Sequence, residues 1–173
     1  MKHMTILFCL ITAVSMTFAG PRKGNPAVVL AVEIVEPGIY QRKLVKSPQD
    51  ESTVAGKVDV VKKGQVITVT DSIPAEIGVS FGFKYIIKSD DKRETKYPVK
   101  YRVVYPSAMT NPQTGKSESE WEFSTFSSAN KEVYTGFGFS EDYELIQGDW
   151  VFEVISGNHV AKQVFHVIEG NQR

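Results

Sequence analysis

Residues 78–82 read Gly-Val-Ser-Phe-Gly, the G-x-S-x-G spacing of a hydrolase nucleophile elbow. Asp142, Asp149 and then His159 follow, giving the order Ser, Asp, His that such hydrolases use. That chemistry needs a strand, a sharp turn at the serine and a departing helix, which expose the hydroxyl and help stabilise the oxyanion. The flanking residues demand something else. Val79, Phe81, Phe83, Tyr85 and Ile87 alternate with Gly78, Ser80, Gly82, Lys84 and Lys88. This period of two runs straight through Ser80, with Ile86 the exception. A turn at Ser80 would expose the rings of Phe81, Phe83 and Tyr85, each worth about 1.5–3 kcal/mol when buried. The expectation is a strand, no catalytic residue and no enzyme activity.

The other chemistry-bearing residues are sparse. Gly78, Ser80 and Gly82 form a smooth strip on the outer face of that strand. Glycines inside strands mark bulges or close backbone approaches. Either a segment of the same chain lies across the strip, or a partner's strand or an extended ligand does. His159 reads as a turn residue and His166 as outward-facing, between Phe165 and Val167. No H-x-H or H-E-x-x-H spacing occurs, so no metal site is expected. "SDD" at 89–91 and "EDYE" at 141–144 lack the spacing of a calcium loop and read as solvated charges. Gly136-Phe137-Gly138 lacks the following helix that phosphate binding needs, and no cofactor is expected. Tyr105, Met109, Trp121 and Tyr134 could make an aromatic patch for a sugar or peptide, although core packing is the commoner fate of such residues.

The first residues set the compartment. Lys2 and His3 precede an apolar run from Thr5 to Ala19, the pattern of a secretory signal peptide cut after Ala19. At about 1.5 Å per residue the run falls short of the roughly 30 Å hydrocarbon core. The expected product is periplasmic or secreted, with no membrane span after cleavage. Its charge is 19 basic against 20 acidic residues once Lys2 is gone, which supports neither nucleic acid nor an anionic membrane as partner. Cys9 is the only cysteine and leaves with the signal, so the mature chain has no disulfide and no thiol chemistry.

Period-2 alternation dominates the rest. Strands are expected at 28–36, 58–61, 65–70, 79–88, 97–105, 121–126, 133–139, 149–156 and 160–168. Gly157-Asn158 supplies a two-residue hairpin turn. About nine short strands with no clear helix predict an all-β, immunoglobulin-like two-sheet antiparallel sandwich, with a closed barrel as the alternative. The expected layout is signal peptide 1–19, flexible lead-in 20–27, sandwich 28–169 and tail 170–173. Residues 41–57 and 106–120 read as long loops, a length that is usually functional or disordered. Pro106, Met109 and Pro112 of the second loop join Gly78, Ser80 and Gly82 as candidate binding residues.

Three stretches together carry a family resemblance: "IPAEIGVSFGFKY", "VVYPSAMTNPQTG" and "DYELIQGDWVFEVISGNHVAKQVFHV". The chain resembles, over roughly residues 28–168, a bacterial exported family catalogued as domain of unknown function three-eight-five-nine. The resemblance implies an immunoglobulin-like sandwich in the envelope of a Gram-negative bacterium, and no activity. It marks Ile73, Pro74, Gly78, Phe81, Gly82, Pro106, Gly148, Trp150, Phe152 and Phe165 as characteristic positions. The function this reading supports is a non-enzymatic binding module with a protein or peptide partner, acting by strand addition to a free edge. A protease-inhibitor-like sandwich using loop 106–120 is the alternative, and a serine hydrolase at Ser80 the least supported reading.

Overall fold

The computed structural model describes residues 28–51, 53–90 and 95–170, except the side chains of residues 62 and 63. The signal peptide 1–19 with Cys9, the lead-in 20–27, residues 91–94 of the charged connection and tail residues 171–173 lie outside the described residues. Among the described residues nine strands run in chain order: β1 (Val29–Lys46), β2 (Val60–Val69), β3 (Ser72–Ala75), β4 (Ser80–Ser89), β5 (Lys96–Thr110), β6 (Ser117–Ser128), β7 (Glu132–Gly138), β8 (Gly148–Ser156) and β9 (His159–Glu169). They form two separate sheets, ordered β2-β1-β4-β7 and β3-β9-β8-β5-β6. This is a sandwich and not a closed barrel. Every pairing is antiparallel except β3 with β9.

The alternation in β4 explains the packing. Phe81, Phe83, Tyr85 and Ile87 point between the sheets and are fully buried. Trp150, Phe152 and Val154 of β8, and Phe165 and Val167 of β9, face them from the second sheet. Phe81 lies within 5.3–6.2 Å of five other rings, three of them edge-on. Edge-to-face contacts suit the ring quadrupole and add about 0.5–1.5 kcal/mol per pair beyond area burial. The Tyr85 and Tyr101 hydroxyls meet at 2.5 Å and brace one sheet against the other.

Three expectations need correction. The two segments 58–61 and 65–70 are one strand, β2, continuous through Gly64. The short strand β3 replaces the lost one in the count; at four residues and with Pro74 inside it, it shows no alternation to detect. The supposed loop 41–57 is strand to Lys46, and 106–120 is strand to Thr110 and again from Ser117. Only residues 111–116 are turn, because a register shift between Val104 and Met109 absorbs the proline-bearing irregularity inside a continuing ladder.

β1 positions the site. Its first half pairs with β4 as far as Ile39, and from Gly38 onward it pairs with β2. Glu36 takes a left-handed φ of 51° where the pairing shifts register, so the strand bends there. The β1–β2 ribbon then passes over the outer side of β7, with Gly64 against the rings of Tyr40 and Tyr134. The strap 47–59 joining the two strands is tied to the second sheet. Asn111 Nδ2 donates to the Val54 carbonyl (3.0 Å), and Lys116 Nζ donates to the Glu51 carbonyl (2.5 Å).

Candidate functional site

Gly78, Ser80 and Gly82 hold separate structural posts. Gly78 at φ 89° and Val79 together oppose Phe139: the Gly78 N–H donates to the Phe139 carbonyl and the Phe139 N–H donates to the Val79 carbonyl. That is a one-residue bulge with glycine in its left-handed position. Gly82 is buried because the β7 backbone at Thr135 and Gly136 closes against it, and a methyl group there would collide with the Thr135 carbonyl. Ser80 opens β4 in extended conformation, and its Oγ accepts a 2.7 Å bond from Arg42 Nε. A side chain of the same chain therefore covers Ser80, whereas Gly78 is exposed with open space beside it. His166 is bonded to Asp149 at 2.7 Å on the other sheet, and His159 pairs with Ser156 at the β8–β9 hairpin. The pieces of a Ser-Asp-His arrangement belong to different elements with other partners.

The residues named from the 106–120 stretch also diverge. Met109 is buried and faces inward, Pro106 packs against Gly148, and Pro112 is exposed at the turn. Asn111 organises that turn. Its Oδ1 accepts from the Gln113 and Thr114 amides while its Nδ2 holds the strap.

The structure brings four other singled-out residues together. Tyr105, Met109, Trp121 and Tyr134 all line one cavity of about 300 Å³ between the β6 and β7 edges, beneath strap residues 53–59. That volume is at the small end of ligand sites. Trp121, Phe123 and Tyr101 form one wall: Trp121 stacks on Phe123 (5.8 Å, 2° between planes) and Phe123 on Tyr101 (6.3 Å, 7°). Tyr134 packs on Tyr40 at 4.6 Å. Arg42 stands at the back, held by Ser80 and 3.7 Å from Asp59.

Hydrogen bonding in the cavity is incomplete. Trp121 Nε1 and the Tyr134 hydroxyl are buried atoms without a hydrogen-bond partner among the described residues. A buried donor left unmade costs about 1–3 kcal/mol. Burial also raises the Tyr134 phenol's pKa far above its usual value, so this group stays a neutral O–H. By contrast the buried Glu144 carboxylate is satisfied by the Ser140 amide (2.6 Å), the Ser140 hydroxyl (3.1 Å) and the Glu141 amide (3.1 Å). Sequence reasoning missed Arg42 and the strap, which come from residues read as loop, apart from residues 58 and 59, expected to begin a strand. Among the described residues no group of three or more His, Cys, Asp or Glu side chains could hold a metal, and no helix is long and apolar enough to cross a membrane.

Comparison with known proteins agrees with this architecture. A crystal structure of an immunoglobulin-like protein from Pseudomonas aeruginosa is similar at a TM-score of 0.54 and 20% sequence identity, covering 79% of this chain and 96% of that one. At that identity the likeness concerns the fold alone. No curated protein matches the chain. Residues 28–167, spanning all the strands but the last residues of β9, match the family described as "Domain of unknown function (DUF3859)", and the chain belongs to that family.

Proposed function

We propose that the protein is an exported, non-enzymatic binding module of the bacterial envelope, and that its binding site is the cavity between the β6 and β7 edges. The carrying observation is the pair of buried groups without a partner among the described residues, Trp121 Nε1 and the Tyr134 hydroxyl, in a cavity walled by stacked rings. A closed core fills such space or satisfies such donors, whereas a binding cavity leaves both for a ligand. The absence of catalysis is supported by the extended backbone at Ser80 and by the Arg42 donor on its oxygen. Export is supported by the signal-like run from Thr5 to Ala19.

Photocrosslinking tests the site. A benzoylphenylalanine at position 123 faces the cavity, and one at 126 on the same strand faces away. In cells secreting the protein, position 123 should give a discrete adduct that Trp121→Ala weakens, and position 126 should not. Equal adducts from both, or none from 123, would remove the cavity from the proposal. Mass spectrometry of the secreted chain should show Gly20 as its first residue, and a retained residue 1–19 segment would overturn export by cleavage.

A further inference from the structure

The two sheets end in four edges, β2, β7, β3 and β6. An unpaired edge invites another strand, and proteins blunt such edges with prolines, charges, bulges or brevity. β3 is four residues long and contains Pro74. β6 carries Glu118, Glu120 and Glu122. β2 has Lys62-Lys63-Gly64 and a pairing with β1 broken by three register shifts. β7, "EVYTGFG", has one charge, at its first residue, no proline and an unbroken register with β4.

The ladder fixes what this edge offers. The bulge bond from the Phe139 N–H to the Val79 carbonyl makes that pair hydrogen-bonded. Antiparallel alternation then makes Phe81/Phe137 and Phe83/Thr135 the hydrogen-bonded pairs. The N–H and C=O groups of Tyr134, Gly136 and Gly138 consequently point away from β4. All three residues line the cavity. The strap passes over this edge without pairing to it: its described backbone bonds are internal, such as Asp50 to Gly56 and Val58 to Pro48. A strap that served only to seal the edge would pair with it.

The charges add a preference. The carboxylates at the cavity are committed, Glu144 to three donors and Asp59 to the Ser47 hydroxyl and Arg42. Among the described residues, no acceptor holds the Lys57 ammonium, Trp121 Nε1 or the Tyr134 hydroxyl. The uncommitted groups are thus mainly donors.

We infer that β7 is a docking edge for an extended segment of another polypeptide, which adds as a fifth strand to the β2-β1-β4-β7 sheet inside the cavity. Residues of that segment opposite Thr135 and Phe137 turn an apolar side chain to the Trp121–Phe123 wall. Residues opposite Gly136 and Gly138 turn an acidic side chain toward Lys57 and the Arg42 guanidinium, which packs directly on Gly138. This inference rests on the cavity being the binding site.

The test uses the mature full-length chain and a library of end-blocked hexapeptides alternating apolar with acidic residues. The best binder is then N-methylated in two versions, at its odd or its even positions. Strand addition requires one version to lose at least roughly tenfold in affinity while the other binds nearly as well, since only alternate amides enter the ladder. Hydrogen exchange should slow at the Tyr134, Gly136 and Gly138 amides, and acid-to-amide replacement should weaken binding and its salt dependence. Binders that shift Trp121 and Phe123 resonances yet tolerate both methylation patterns would overturn strand addition and leave the cavity reading intact. No binder at all, together with a protease-resistant adduct at position 123, would overturn the peptide class alone. No binder and no adduct would end both readings. Slow exchange of the three amides in the free protein would also overturn the inference. If it rises with concentration it assigns the edge to a second copy, and otherwise to the chain's own residues 20–27.

Discussion

Phe81 and Tyr134 illustrate opposite uses of an aromatic residue. Phe81 is fully buried among five rings, so Phe81→Ala should cost about 3–5 kcal/mol in urea unfolding. A loss under about 1 kcal/mol would contradict the packing described. Tyr134→Phe keeps the ring and deletes a hydroxyl that has no partner among the described residues. It should be neutral or stabilise by about 1 kcal/mol in the same measurement, while weakening crosslinking from position 123. His166 offers a third residue-scale test. The hydrogen bond to Asp149 raises its pKa above 6.5, desolvation opposes that rise, and the Asp149 and Asp71 charges add to it. A raised folded-state value stabilises fully below the unfolded value and is lost as pH rises through the folded one. The thermal midpoint should therefore fall as pH rises above about 6.5, and Asp149→Asn should flatten that slope.

At the scale of elements, the strap 47–59 depends on one side chain. Asn111 both shapes the β5–β6 turn and holds the Val54 carbonyl. Asn111→Ala should cost about 1–3 kcal/mol and speed amide exchange in residues 53–57, with β8 and β9 unaffected. Uniform acceleration across both sheets would show that the strap is not a separable unit. This part of the molecule was the least legible in the sequence. β4, β8 and β9 announced themselves because alternation is local and their inward residues are aromatic. The handover of β1 from β4 to β2 leaves no local mark: Arg42 finds Ser80 across 38 residues, and Lys116 finds Glu51 across 65. Tyr105, Met109, Trp121 and Tyr134 were visible as a set with two fates, core or patch. The structure makes them partly both, since Tyr105 and Met109 also belong to the core cluster.

The whole molecule is held by its core and by pairings between distant segments, with no covalent staple in the described residues. A sandwich of this kind folds slowly, because loop closure precedes the contacts that reward it. Its urea midpoint should be the same with and without a reducing agent, whatever the compartment. A shift on reduction would mean that Cys9 remains on the chain and pairs. The outer face of the larger sheet adds a charge lattice in which Arg102 reaches both Glu120 and Glu153 and Lys100 reaches Glu122. The pairs to Glu120 and Glu122 are exposed, so they favour solubility and register more than stability.

The two tryptophans inhabit contrasting settings. Trp150 is sealed in the core with its indole nitrogen donating to the Ile146 carbonyl at 2.8 Å, whereas Trp121 stands at the cavity with its nitrogen unbonded among the described residues. The protein thus carries its own optical gauge. One emitter stays constant and blue while the fold persists, and the other changes colour when something enters beside it, so occupancy and unfolding can be told apart without attaching any dye.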